Sequence, residues 1–218
     1  MIEIIPAIIP KDLEEIKEKL KLVEPYADWV QLDISDGKFT TMKTWDDPEE
    51  IKGLATRLNL EAHLMISEPE RKIDQWIASG VKRILIHFES TKNLPAVLDK
   101  IKNAGIEAAI VLNLQTPTDV LEKIEISKYP NLKIVQLMSI AEIGYYGQPF
   151  DGNVLSKISF LKSKYPGLRI AVDGGINKET AKKAVRAGAD ILAVGSAIFS
   201  AESPEKSIFE IKETLNNF

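Results

Sequence analysis

The chain has 218 residues, a formal charge of −4, 44% hydrophobic residues and no cysteine. That length allows one large core. The charge gives nucleic acid or an anionic membrane little to hold, and the lack of cysteine excludes disulfides, thiolate nucleophiles and zinc–thiolate centres while agreeing with a cytoplasmic protein. The opening MIEIIPAIIP has neither a basic lead nor a small-residue cleavage pattern, and no apolar run approaches the roughly 20 residues that span a bilayer. A soluble protein acting on a small polar substrate is expected.

Along the chain, apolar runs of strand length alternate with amphipathic stretches of helical period. IEIIPAII (2–9) is followed by DLEEIKEKLKLV, and DWVQLDI (28–34) comes next. LEAHLMI (60–66) precedes PERKIDQWIASG, and RILIHFE (83–89) precedes LPAVLDKIKNAG. EAAIVLN (107–113), KIVQLMS (133–139), RIAVDGG (169–175) with NKETAKKAVRAGA behind it, and DILAVGS (190–196) complete the series. Several helical stretches end in Gly, as helix C-termini often do. No linker or shift of composition divides residues 1–218. Eight strand–helix units therefore predict one domain, a closed parallel (β/α)8 barrel, with a doubly wound open sheet as the alternative.

In such a barrel, chemistry belongs at the C-terminal ends of the strands. Asp33, His63, His87, Asn113, Ser139 and Asp173 all stand late in their runs. Gln31 and Asp33 are two apart, so both side chains leave one face of their strand; a carboxylate placed there needs partners or a chemical task. The turns DGGI (173–176) and GSAIF (195–199) end the last two strands, where backbone N–H groups and a short helix start commonly hold phosphate. Gly174, Gly175, Gly195 and Ser196 are the candidate cradle. GYYGQ (144–148) offers Gly144 and Gly147 as further backbone donors. The expected partner is a small phosphorylated molecule. Asp36 reads as a turn cap, Glu89 with His87 as support behind the site, and the tryptophans as core.

AHLMISEP, VLNLQTP, VDGGI and GSAIF, in this order and spacing, resemble the ribulose-phosphate 3-epimerase family over nearly the whole chain. The resemblance implies a metal-assisted isomerase that inverts C3 of D-ribulose 5-phosphate to give D-xylulose 5-phosphate, and a homo-oligomer. It makes Asp33 and Asp173 the acid/base pair. Inversion needs a proton removed from one face of the carbon and returned to the other, which two carboxylates provide. The enediolate formed between those steps needs a Lewis acid or strong donors. Asp33, His63 and Asp173 are the implied ligands of a divalent metal, with His63 also beside the substrate.

Several positions depart from the family pattern. Gln31 stands where the family usually has His, so it is a weak ligand or marks a vacated one. A site so rich in oxygen suits manganese, magnesium or iron relatively better than zinc. Ala7 replaces a usual Ser and Ser35 a Met, and the loop after Ser139 is longer than usual. Three outcomes stay open on the sequence: metal retained, metal lost with Gln31 donating to the enediolate, and activity lost. The alternatives to the pentulose-phosphate epimerase are another phosphosugar barrel, such as a hexulose-phosphate epimerase or lyase, and a phosphosugar-binding protein without turnover.

Overall fold

The computed structural model describes residues 2–216; Met1, Asn217 and Phe218, the ends of the expected 1–218 domain, lie outside the described residues. Eight strands, β1 (Glu3–Ile8), β2 (Trp29–Ser35), β3 (Asn59–Met65), β4 (Arg83–His87), β5 (Glu107–Leu112), β6 (Leu132–Met138), β7 (Arg169–Asp173) and β8 (Ile191–Val194), pair in parallel in sequence order. The eighth closes on the first, with Pro6 opposite Val194. Outside lie α1 (Leu13–Val23), α2 (Ile73–Ala78), α3 (Leu94–Asn103), α4 (Val154–Lys164), α5 (Lys178–Ala187), α6 (Ser196–Phe199) and α7 (Pro204–Asn216). The closed (β/α)8 barrel is the architecture the alternating runs predict, and the open-sheet alternative falls.

Both faces of each strand are buried, which is why the runs are nearly continuous in apolar residues. Alternate side chains take opposite faces. In β2, Val30, Leu32 and Ile34 join the large core between barrel and helices, and in β3 Leu60, Ala62 and Leu64 do the same. The intervening Gln31, Asp33, Glu61 and His63 are equally buried but belong to the barrel interior. There Ile5, Leu85, Ala109, Val111, Ile134, Met138, Ala171 and Ile191 form a second apolar cluster. Beside it, the buried Arg83 guanidinium pairs with Glu61 and with Glu107 at 2.8 Å, and the Trp29 ring lies 3.8 Å from it. The interior is thus a packed core, and a ligand is left only the C-terminal mouth.

The helices start and stop on local chemistry. Asp12 caps α1 by accepting from the Glu15 N–H at 2.8 Å, and Asn177 and Thr180 form a reciprocal capping box at α5. Gly188 ends α5 at φ +110°, a conformation that favours glycine. Two crossovers depart from the eight-unit expectation. Residues 36–58 contain only a 3-10 turn at Pro48–Ile51, and residues 113–131 only those at Thr118–Lys123 and Ile126–Lys128. Pro48, Gly37 and Gly53 interrupt the first segment, while Pro117, Pro130 and β-branched residues interrupt the second. Among the described residues, no helix is long and apolar enough to cross a membrane.

Candidate active site

Register places the polar residues at one height. Asp33 lies opposite His63 across β2 and β3, Gln31 opposite Ala7 across β1 and β2, and Met138 opposite Asp173 across β6 and β7. Although β2 and β7 stand on separate parts of the barrel wall, their carboxylates reach inward to a common point. The Gln31 amide nitrogen donates to Asp33 Oδ1 at 2.8 Å and to Asp173 Oδ2 at 2.7 Å. A second amide, Gln136 on β6, donates to the same Asp173 oxygen at 3.0 Å. His63 Nδ1 lies 2.8 Å from Asp33 Oδ1 and 3.4 Å from Asp173 Oδ2.

This crowding of acidic groups out of water shifts their protonation. Burial, reinforced by the charge of Asp33, pushes the Asp173 carboxyl up to about 7. Burial works against a charged His63 ring, but its hydrogen bond to Asp33 and the charges of Asp33, Asp173 and Glu61 outweigh that and raise it above the ordinary histidine range. His87, whose Nε2 is 2.9 Å from His63 Nε2, is held down at about 4, chiefly by burial. Its ring is neutral near pH 7.

The ligand atoms of Asp33, His63 and Asp173 all lie within 4.8 Å of one another. Two carboxylates and an imidazole at this spacing form a donor set that fits a divalent cation. Gln31 is compatible with such an ion because its buried Oε1 has no hydrogen-bond partner among the described residues. Turning the amide over brings that oxygen toward the cluster.

Gly144, Gly147, Gly174, Gly175, Gly195 and Ser196 line the same cavity as Asp33, His63 and Asp173. The backbone N–H groups of Gly195 and Ser196 have no hydrogen-bond acceptor among the described residues. A Cβ on Gly175 would stand 2.6 Å from the Phe150 nitrogen, so the backbone there packs as only glycine allows. At Gly195 a Cβ would stand 2.6 Å from the Tyr146 ring. Tyr146 thus covers the cradle, its hydroxyl accepting from the Ile9 N–H at 2.8 Å and donating to the Ala7 carbonyl at 3.1 Å.

The residues named from sequence as catalytic, ligating or cradle groups all gather around this cavity, including Gln31, whose amide bridges the two aspartates. Ser139 and Asn113 do not join the cluster. The Ser139 hydroxyl donates to the Asp173 carbonyl at 2.9 Å, and the Asn113 N–H donates to Glu89 at 2.8 Å. Asp36 caps its turn by accepting from the Lys38 and Phe39 N–H groups at 2.8 and 2.9 Å. Sequence reasoning missed Gln136 and Tyr146. The first had a usable signal, an amide within an apolar run and two residues before Met138, as Gln31 is two before Asp33; the second had none beyond its place in GYYGQ.

Comparison with known proteins narrows the identity. A Bacillus subtilis ribulose-phosphate 3-epimerase is 35% identical over 97% of this chain and 99% of its own length. One from Eremothecium gossypii is 29% identical over 98% and 93%. Among solved structures, a ligand-bound KGPDC from Streptococcus mutans superposes with a TM-score of 0.78 at 14% identity, covering 99% of this chain and 98% of that one. A 3-hexulose-6-phosphate synthase from Salmonella typhimurium gives 0.75 at 17%, covering 99% of each, and at such identities the likeness is one of fold. The sequence profile of the ribulose-phosphate 3 epimerase family matches residues 3–199, and the chain belongs to that family.

Proposed function

We propose that the protein is an isomerase interconverting D-ribulose 5-phosphate and D-xylulose 5-phosphate, with Asp33 and Asp173 as its two proton-transfer groups. The observation that carries this reading is the convergence of the two carboxylates on the Gln31 amide, beside a glycine cradle with free N–H donors. The C3 proton of the substrate is acidified by the neighbouring C2 carbonyl. One aspartate removes it from one face of the carbon and the other returns a proton to the opposite face. Asp173, with its pKa raised to about 7, is suited to exchange a proton near neutrality.

Gly174, Gly175, Gly195 and Ser196 bind the phosphate through backbone N–H groups, with Gly144 and Gly147 as further donors, and this fixes C3 between the carboxylates. That accounts for an anionic substrate on a chain of net charge −4. Asp33, His63 and Asp173 would hold a divalent cation, with Gln31 as a weak fourth ligand. Manganese, iron or magnesium suits this oxygen-rich set better than zinc. When bound, such an ion supplies Lewis-acid stabilisation of the enediolate oxygen. His63 also borders the bound sugar.

Purified protein given D-ribulose 5-phosphate should form D-xylulose 5-phosphate, followed by NMR. Asp33→Asn and Asp173→Asn should each reduce the rate by about 10²–10⁴-fold. Near-normal turnover by either variant would remove that residue from the mechanism.

A further inference from the structure

Behind the candidate cation ligands, the structure holds an ordered relay of buried groups. His63 Nε2 lies 2.9 Å from His87 Nε2, and the two ring planes differ by only 17°. That contact is an N–H···N bond in which one nitrogen carries the proton and the other accepts. On its far side, His87 Nδ1 lies 3.4 Å from Glu89 Oε2. The distance is long, and both atoms are buried with no hydrogen-bond partner among the described residues, so each is left to the other. The other carboxylate oxygen of Glu89 is committed: it accepts from the Asn113 N–H at 2.8 Å and from the Thr116 hydroxyl.

We propose that Glu89 and His87 are positioning residues that hold a proton on His63 Nε2, so that Nδ1, beside Asp33 and Asp173, is the nitrogen that gives up its proton to bind a divalent cation. The Glu89 carboxylate only accepts, and therefore requires the His87 proton on Nδ1. His87 Nε2 is then bare and must accept from His63 Nε2–H. The remaining nitrogen of His63 faces the two aspartates, at 2.8 and 3.4 Å. The role toward a cation rests on the proposed function, whereas the proton arrangement does not. A histidine ligand held through its second nitrogen is a recurrent means of orienting the ring and raising metal affinity.

The chain contains two histidines, so the imidazole nitrogens of tag-free, 15N-histidine-labelled protein can be assigned directly by NMR. The expected spectrum of the metal-free wild type has His87 as the Nδ1–H tautomer and His63 protonated at Nε2. An Nε2–H tautomer at His87 would overturn the proposal without any variant.

Glu89→Gln supplies the second arm. The N–H of Asn113 and the hydroxyl of Thr116 hold the new amide oxygen, which turns its NH2 toward His87 Nδ1. His87 should then switch to Nε2–H, and His63 should lose its outward proton. Mn²⁺ affinity, measured by calorimetry, should fall about 10–100-fold with an unchanged circular-dichroism spectrum. An unaltered tautomer in a folded variant, or unaltered Mn²⁺ affinity beside an altered tautomer, would contradict the positioning role. If the wild type binds no Mn²⁺, the cation reading in the proposed function fails while the wild-type spectrum still decides the relay. If the variant does not fold, that spectrum alone decides.

Discussion

At position 31 an uncharged amide holds two buried carboxylates together. Its nitrogen donates to both Asp33 and Asp173, so each acidic group keeps a partner in a site where an unpaired charge would be costly. The oxygen of the same amide is left without one. Imidazole is a better ligand than a neutral amide for zinc and iron, and Gln31→His should therefore raise bound metal after identical loading and desalting, read by elemental analysis. No gain over the parent would mean that residue 31 does not stand at a ligand position. Asp33, His63 and Asp173 were legible as site residues because charged or imidazole groups at the ends of apolar runs need a reason to be there. Gln136 was not, since an amide draws less notice than a charge and its meaning depends on Asp173, 37 residues away. Tyr146 resembles an ordinary loop aromatic until its ring is seen over Gly195.

The segment between β6 and α4 lines the mouth of the site. Its Tyr146 is tied to the end of β1 by two hydrogen bonds and lies over the cradle, and the free volume of the cavity beneath is about 40 Å³. Ligand pockets usually measure about 300 Å³ or more, and displacing the Tyr146 ring would widen the space open to a ligand. Tyr146→Phe keeps the ring but removes both hydrogen bonds. At about 0.5–1.5 kcal/mol each, their loss should speed exchange of ribulose 5-phosphate by roughly tenfold, measurable by NMR line shape. Unchanged exchange rates would show that the tie to β1 does not limit entry. The strands were legible because a barrel strand, covered on both sides, must be apolar almost throughout. Two expected crossover helices were absent for local reasons, the prolines and β-branched residues of 36–58 and 113–131. The alternation that announced the barrel says only that a connection exists, and its length does not distinguish a helix from a chain of tight turns.

For the whole molecule, the barrel interior divides the labour. Its apolar cluster and the Arg83 ion pairs with Glu61 and Glu107 fill the interior, so acidic and imidazole groups from β2, β3 and β7 meet only near the strand ends. Closure of β8 on β1 then brings the GSAIF turn beside Ala7 and Gln31, residues far away in sequence. The fold and the composition of the rim could be read from sequence for this reason, whereas the convergence of Asp33 and Asp173 followed only from the family resemblance, because it depends on how far side chains reach across a closed barrel. If two carboxylates act on opposite faces of one carbon, the origin of the C3 hydrogen in the product reveals it. In heavy water, the acid that completes the inversion carries a solvent-derived deuteron, so D-xylulose 5-phosphate formed in the first turnovers from D-ribulose 5-phosphate should be deuterated at C3, read by NMR and mass spectrometry. Product that retains the substrate's own C3 proton would mean that a single base returns it, and would contradict the paired roles of Asp33 and Asp173.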